Sequence, residues 1–100
     1  MNNLTLVDLF LNEYWIEKGL SENTVQSYRL DLTALCDWLD KKNLSLETLE
    51  PLDLQQFLGS RLEQGYKATS TARMLSAMRK LFQYLYSEKY RMDDPSAVLS

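Results

Sequence analysis

Between Gly65 and Tyr86 the chain reads GYKATSTARMLSAMRKLFQYLY, and this stretch holds Lys67, Arg73, Arg79 and Lys80 without a single carboxylate. Lys and Arg neutralise phosphate charge and release counterions. Hydroxyls such as Thr69 and Ser70, with the unpaired N–H groups of a first helical turn, donate to phosphate oxygens. A helix also fits a DNA major groove, where Arg73 is placed to reach a guanine edge. The plainer reading is a solvated face of a surface helix, which is what most charge runs are. Charge distribution keeps both readings open for this helix. Residues 61–91 hold seven basic groups against Glu63 and Glu88, a net +5, whereas residues 1–60 hold four against ten, a net −6. With Asp93 and Asp94 the chain sums to −3, so the net charge conceals a cationic segment.

Other chemistries lack their parts. The chain has no histidine and one cysteine, which leaves no nitrogen–sulfur metal site. Gly19, Gly59 and Gly65 are too scattered for a phosphate-cradling loop. Tyr14 and Tyr28 sit on apolar stripes, and Tyr84 and Tyr90 have no activating neighbour in the sequence, so no tyrosine is nominated as a nucleophile. Neither cofactor nor metal is expected. Asp93–Asp94 reads as a solvated hinge. Cys36 falls near an apolar helix face, as a small buried hydrophobe, and its solitude fits a reducing cytosol. The N-terminal run LTLVDLFLNEYWIEKGL is broken by Asp8, Asn12 and Glu13, too polar for a membrane span or a signal peptide.

One hundred residues suit one domain, and the pattern predicts four helices and no strand. The first runs from Leu6 to Lys18, with Thr5 as cap, Gly19 as stop, and Val7, Phe10, Leu11 and Tyr14 inward. Ser21 caps the second, which reaches Lys41 or Lys42 with Val25, Tyr28, Leu32, Leu35 and Leu39 as its stripe. Residues 43–50 connect to a third helix that starts at Pro51, a residue suited to the first helical position. It ends at Gly65 and turns Leu54, Phe57, Leu58 and Leu62 inward. The fourth spans roughly Ala68 to Lys89. On a wheel of about 100° per residue, Thr71, Leu75, Met78, Phe82 and Leu85 share its core face, and Thr69, Arg73, Ser76, Ala77, Lys80 and Tyr84 lie opposite.

The second helix begins with a comparable polar face: Asn23, Gln26 and Ser27, flanked by Thr24. Two helices that start with short hydrogen-bonding residues read as a paired nucleic-acid surface. Glu22 argues mildly against this, and capping explains it.

SENTVQSYRLDLTALCDWL, followed some forty residues from its start by GYKATSTARMLSAMRKLFQYLYSEKYRMDDPSAVL, resembles the N-terminal core-binding, SAM-like domain of tyrosine recombinases of the phage integrase family, Xer subfamily. The resemblance covers the whole chain. It implies an all-α, four-helix orthogonal bundle that forms one side of a clamp on double-stranded DNA. It also implies a separate catalytic domain, supplying two arginines, a lysine, histidine and a tyrosine nucleophile, and so no catalysis by these residues. Xer recombinases cut and rejoin DNA through a 3′-phosphotyrosyl intermediate in a tetramer that includes a XerC-like partner, acting at dif to resolve chromosome dimers in the cytoplasm. No membrane or small-molecule substrate is implied. The second and fourth helices face DNA in this family, so the nominated contacts are Asn23, Thr24, Gln26 and Ser27 with Lys67, Thr69, Ser70, Arg73, Ser76 and Lys80. Arg29 and Arg79 either touch phosphate or pair with Asp31 or Glu63. Leu30 stands where relatives often carry a second basic residue. Residues 1–92 form the domain on this reading, and 93–100 begin an interdomain linker. The competing class is a helical protein-interaction or oligomerisation domain, for which Leu30, Ala34 and Trp38 supply a second apolar stripe.

Overall fold

Asn2, not Thr5, starts the first helix. Its side-chain oxygen accepts from the Thr5 N–H at 2.8 Å, which sets the helix three residues ahead of the expected Leu6. The computed structural model describes residues 1–99 and contains no strand among them. Its four helices are α1 (Asn3–Lys18), α2 (Glu22–Lys41), α3 (Pro51–Glu63) and α4 (Ala68–Ser87). The fold is all-α, as the pattern predicts. The chain divides into two compact units, Met1–Leu46 and a second from Glu47 onward.

In the first unit the early start of α1 buries Asn3, whose amide is fully used. Its Nδ2 donates to Asp40 Oδ1 at 2.9 Å and to the Leu44 carbonyl at 3.0 Å, while its Oδ1 accepts from the Leu46 N–H at 2.8 Å. Leu6, Val7, Phe10 and Leu11 are buried. Tyr14, expected among them, is half-buried with its ring 5.1 Å from Phe10. Gly19 ends the helix in the left-handed region, at φ 61°, a conformation that costs glycine little. Ser21 caps α2 by accepting from the Thr24 N–H, and Val25, Leu32, Leu35 and Leu39 are buried as their spacing predicts, with Tyr28 half-buried. Past Lys42, Asn43 takes φ 56°. The N–H groups of Asn43 and Leu44 then close on the Asp40 and Leu39 carbonyls, which is a Schellman ending.

In the second unit Pro51 opens α3, with Glu50 and Asp53 capping each other's backbone. The buried face departs from the expected one: Leu54 and Phe57 are buried with Arg61, whereas Leu62 is 56% exposed and Leu58 half-buried. Taking Leu54 as zero, Arg61 falls at about −20° and Leu62 at about 80°, so geometry selects the arginine over the leucine. At Gly65, φ 89°, the chain turns through a second Schellman ending, with Tyr66 N–H donating to the Arg61 carbonyl. The stripe of α4 is also rotated. Met74, Ala77, Met78, Leu81, Phe82 and Leu85 are buried, so Ala77 belongs to the interior rather than the outer face, and Thr71 and Leu75 are only half-buried. The helix stops two residues short of Lys89, which takes φ 64° in a third such ending.

Residues after α4 are held in place. Arg91 is buried, donates from Nη2 to the Leu49 carbonyl at 2.8 Å and pairs with Asp93 at 3.1 Å. Asp94 Oδ1 accepts from both the backbone N–H and the hydroxyl of Ser96, and Ser96 and Leu99 are buried. The two aspartates expected in a solvated hinge thus bond their own neighbourhood. Ser100, the end of the expected linker, lies outside the described residues.

Candidate nucleic-acid interface

α4 presents its nominated residues along one shoulder and the adjoining outer strip. Thr69, Arg73, Ser76 and Lys80 recur at spacings of four, three and four, covering roughly 16 Å of helix at 1.5 Å per residue. Lys67 is the residue before the helix, and Lys67, Thr69 and Arg73 are exposed. Ser76 and Lys80 are half-buried and joined, the lysine Nζ donating to the serine Oγ at 2.9 Å. Ser70 lies elsewhere. It is half-buried, and its Oγ accepts from Arg61 Nη2 at 3.3 Å, on the side toward α3. Ala72 and Gln83, both exposed, complete the outer strip with Thr69 and Ser76. Neither is nominated from the sequence, although their spacing from the nominated residues is the signal that marks them.

At the start of α2, Asn23 and Gln26 are exposed, and Thr24 and Ser27 half-buried. Thr24 belongs to the helix cap, its Oγ1 lying 2.9 Å from Ser21 Oγ. Gln26 borders a groove of about 650 Å³ between α1 and α2, with Trp15, Ile16, Val25 and Arg29 among its walls. Arg29 is committed to an ion pair with Asp8, a partner in neither of the alternatives that sequence offers for it. Arg79 likewise goes elsewhere, donating from Nη2 to the Leu99 carbonyl.

These assignments change the electrostatics read from composition. Of the seven cations between 61 and 91, Arg61 and Arg91 are buried and Arg79 secures the C-terminal segment. Lys67, Arg73 and Lys89 are exposed, and Lys80 is half-exposed. The exposed positive charge is therefore smaller than +5, with Lys67, Arg73 and Lys80 spread from the start of α4 into its fourth turn and Lys89 beyond its end. Exposed guanidinium and ammonium groups beside hydroxyls and a helix start can hold phosphate oxygens, and the arginine fork can pair with a base edge.

Fold and faces together define an all-helical chain whose α4 carries exposed cations beside hydroxyls. The family model for the phage integrase N-terminal SAM-like domain matches residues 7–89, and the chain belongs to that family. It is 87% identical over 100 residues to the tyrosine recombinase XerD of Haemophilus influenzae, covering all of this chain and 34% of that protein. Identity to the Pasteurella multocida XerD is 72% over the same 100 residues, again 34% of its length. The Yersinia pestis XerD is 60% identical over 95 residues, which are 95% of this chain and 32% of that protein. The chain thus spans about a third of the length of these curated relatives.

Proposed function

We propose that this chain is the DNA-binding part of a longer, XerD-type site-specific tyrosine recombinase. Residues 1–92 bind double-stranded DNA, and 93–100 lead toward the part that carries catalysis. The longer protein acts with a XerC-like recombinase in a heterotetramer at a dif-like site, resolving chromosome dimers at the nucleoid in the cytoplasm. The observation that carries the reading is the acid-free, hydroxyl- and cation-bearing side of α4, where Thr69, Arg73, Ser76 and Lys80 succeed one another. The 87% identity to a tyrosine recombinase supports it. The absence of histidine from the sequence fits chemistry performed by other residues of the longer protein.

Fluorescence anisotropy with a dif half-site duplex and a scrambled duplex tests it: the half-site binds more tightly, and equal affinity for both would remove the sequence-specific part of the proposal. Arg73→Ala costs about 1–3 kcal/mol and relaxes preference at one base position. Equal loss on every duplex would make Arg73 a phosphate contact instead. A second reading, contact with another protein, has support in Ile16 and Leu30, which are 82% and 73% exposed on the first unit. Salt-insensitive self-association in sedimentation would favour that reading.

A further inference from the structure

Residues 91–99 follow α4 where a connector is expected, yet they are bonded as part of the second unit. A flexible connector leaves its backbone to water and makes few contacts. Here Pro95, Ser96 and Leu99 are buried. Two tight turns follow one another, Ala97 N–H donating to the Asp94 carbonyl at 3.2 Å and Leu99 N–H to the Ser96 carbonyl at 3.0 Å. Asp94 Oδ1 accepts from the Ser96 N–H at 2.9 Å and from its hydroxyl at 2.6 Å. The root of the segment is fixed as well. Arg91 has its guanidinium carbon 5.8 Å from the centre of the Phe82 ring and donates to the Leu49 carbonyl.

The far end is tied to the middle of α4. Arg79 Nη2 donates to the Leu99 carbonyl across twenty residues of chain. Because α4 ends at Ser87, the chain has turned at Lys89 and come back about 12 Å along the helix, at 1.5 Å per residue. A guanidinium makes a stronger bond to a carbonyl than a neutral donor does. Among the described residues it is the one polar contact between residues 97–99 and α4. Arg79 also borders the strip proposed to face DNA: Ser76 lies three residues before it and Gln83 four after, which makes both its neighbours on the helix surface.

We propose that residues 91–99 are a latched arm and that Arg79 is a positioning residue. By holding the Leu99 carbonyl, Arg79 makes the chain leave the second unit beside the middle of α4, on the flank of that strip. The catalytic part of the longer protein is thereby directed to the stretch of duplex that α4 contacts. Free rotation of the chain begins after Leu99 and not at Asp93. The latch itself rests on the geometry, and its use in catalysis rests on the recombinase reading above.

Backbone ¹⁵N relaxation of the chain tests the latch. Order parameters of Ala97, Val98 and Leu99 stand near the rigid-backbone value of about 0.85, and in Arg79→Met they fall below about 0.6 while those of α4 hold. Arg79→Lys, which keeps a charged donor, restores them. Should Arg79→Met unfold, Asp94→Ala, which removes the side-chain acceptor of Ser96 and leaves α4 untouched, loosens the same three amides. Wild-type values already below about 0.6, or values unchanged in a folded variant, overturn the latch. The longer protein tests its use. Its Arg79→Met variant binds a dif half-site duplex as tightly as the wild type, whereas DNA strand cleavage slows roughly tenfold, and Arg79→Lys recovers the rate. Weaker duplex binding by Arg79→Met would make Arg79 a DNA contact, and an unchanged cleavage rate would remove the positioning role. A rigid arm on a chain that binds no duplex keeps the latch and sinks the DNA reading. Duplex binding by a chain whose arm is mobile does the reverse.

Discussion

Two buried polar side chains carry more of the structure than their types announce. Asn3 reads in sequence as a lead-in to the first helix, yet its amide makes three bonds that gather Asp40, Leu44 and Leu46. Asn3→Ala removes the partner of the Leu46 N–H and one donor to the Leu44 carbonyl, and should cost about 2–6 kcal/mol in urea unfolding, from one to three for each lost bond. A loss below about 0.5 kcal/mol would mean that water replaces the amide. Cys36 shows the opposite case, a residue whose burial was legible from its helix face. Desolvation, reinforced by Asp40, Asp37 and Asp8, pushes its thiol from 9.0 up to about 12. Between those values the unfolded chain loses a proton that the folded chain keeps, so stability is full below pH 9.0 and declines as pH rises toward 12. The slope approaches about 1.4 kcal/mol per pH unit, and Cys36→Ala should abolish it. Equal alkaline slopes in the two proteins would show that the thiol ionises without unfolding. Arg61 was the least legible of all, because a cation on a helix counts as surface until the wheel angle and the facing rings are known.

Helix existence was readable because each start and stop has a local cause: Ser21 at a cap, Pro51 at a first position, Gly19 and Gly65 at stops. Faces were less readable. The expected α4 stripe weighted Thr71 and Leu75 as though any residue at helical spacing would do, whereas the buried centre runs through Met74, Met78, Leu81 and Leu85. That rotation is what takes Ala77 inside and turns Ser70 toward Arg61. The end of α4 falls two residues before the expected Lys89 for a related reason: nothing in the composition marks Lys89 as a left-handed residue, and its φ of 64° follows from the bonds that close the turn, Lys89 N–H to the Tyr86 carbonyl and Tyr90 N–H to the Leu85 carbonyl. A lysine is ill suited to that region and glycine is at ease in it. Lys89→Gly should therefore stabilise the chain by about 1 kcal/mol, raising Tm by about 4–8 °C. An unchanged or lower Tm would show that the unfolded-state entropy of glycine offsets the relieved strain.

On the scale of the whole molecule, the net charge of −3 sets the far field and the α4 side sets the near field. An acidic chain gains no long-range steering toward DNA, so its affinity depends on the few cations able to touch phosphates. Composition alone offers seven basic residues between 61 and 91, besides Arg29. Side-chain partners reduce that number: Arg29 is held by Asp8, Arg79 by the Leu99 carbonyl, and Arg91 by Asp93 and the Leu49 carbonyl. Lys67, Arg73 and Lys80 are the cations placed along the proposed face. With about 0.9 counterion released per phosphate, the logarithm of the affinity should fall against that of salt with a slope of about −3. Lys80→Ala should bring it to about −2 while weakening all duplexes alike. A wild-type slope steeper than about −5 would require cations beyond these three. If Arg29 is one of them, its pair with Asp8 has to open on binding, and Asp8→Asn, which releases the arginine in advance, would tighten DNA binding instead of leaving it unchanged.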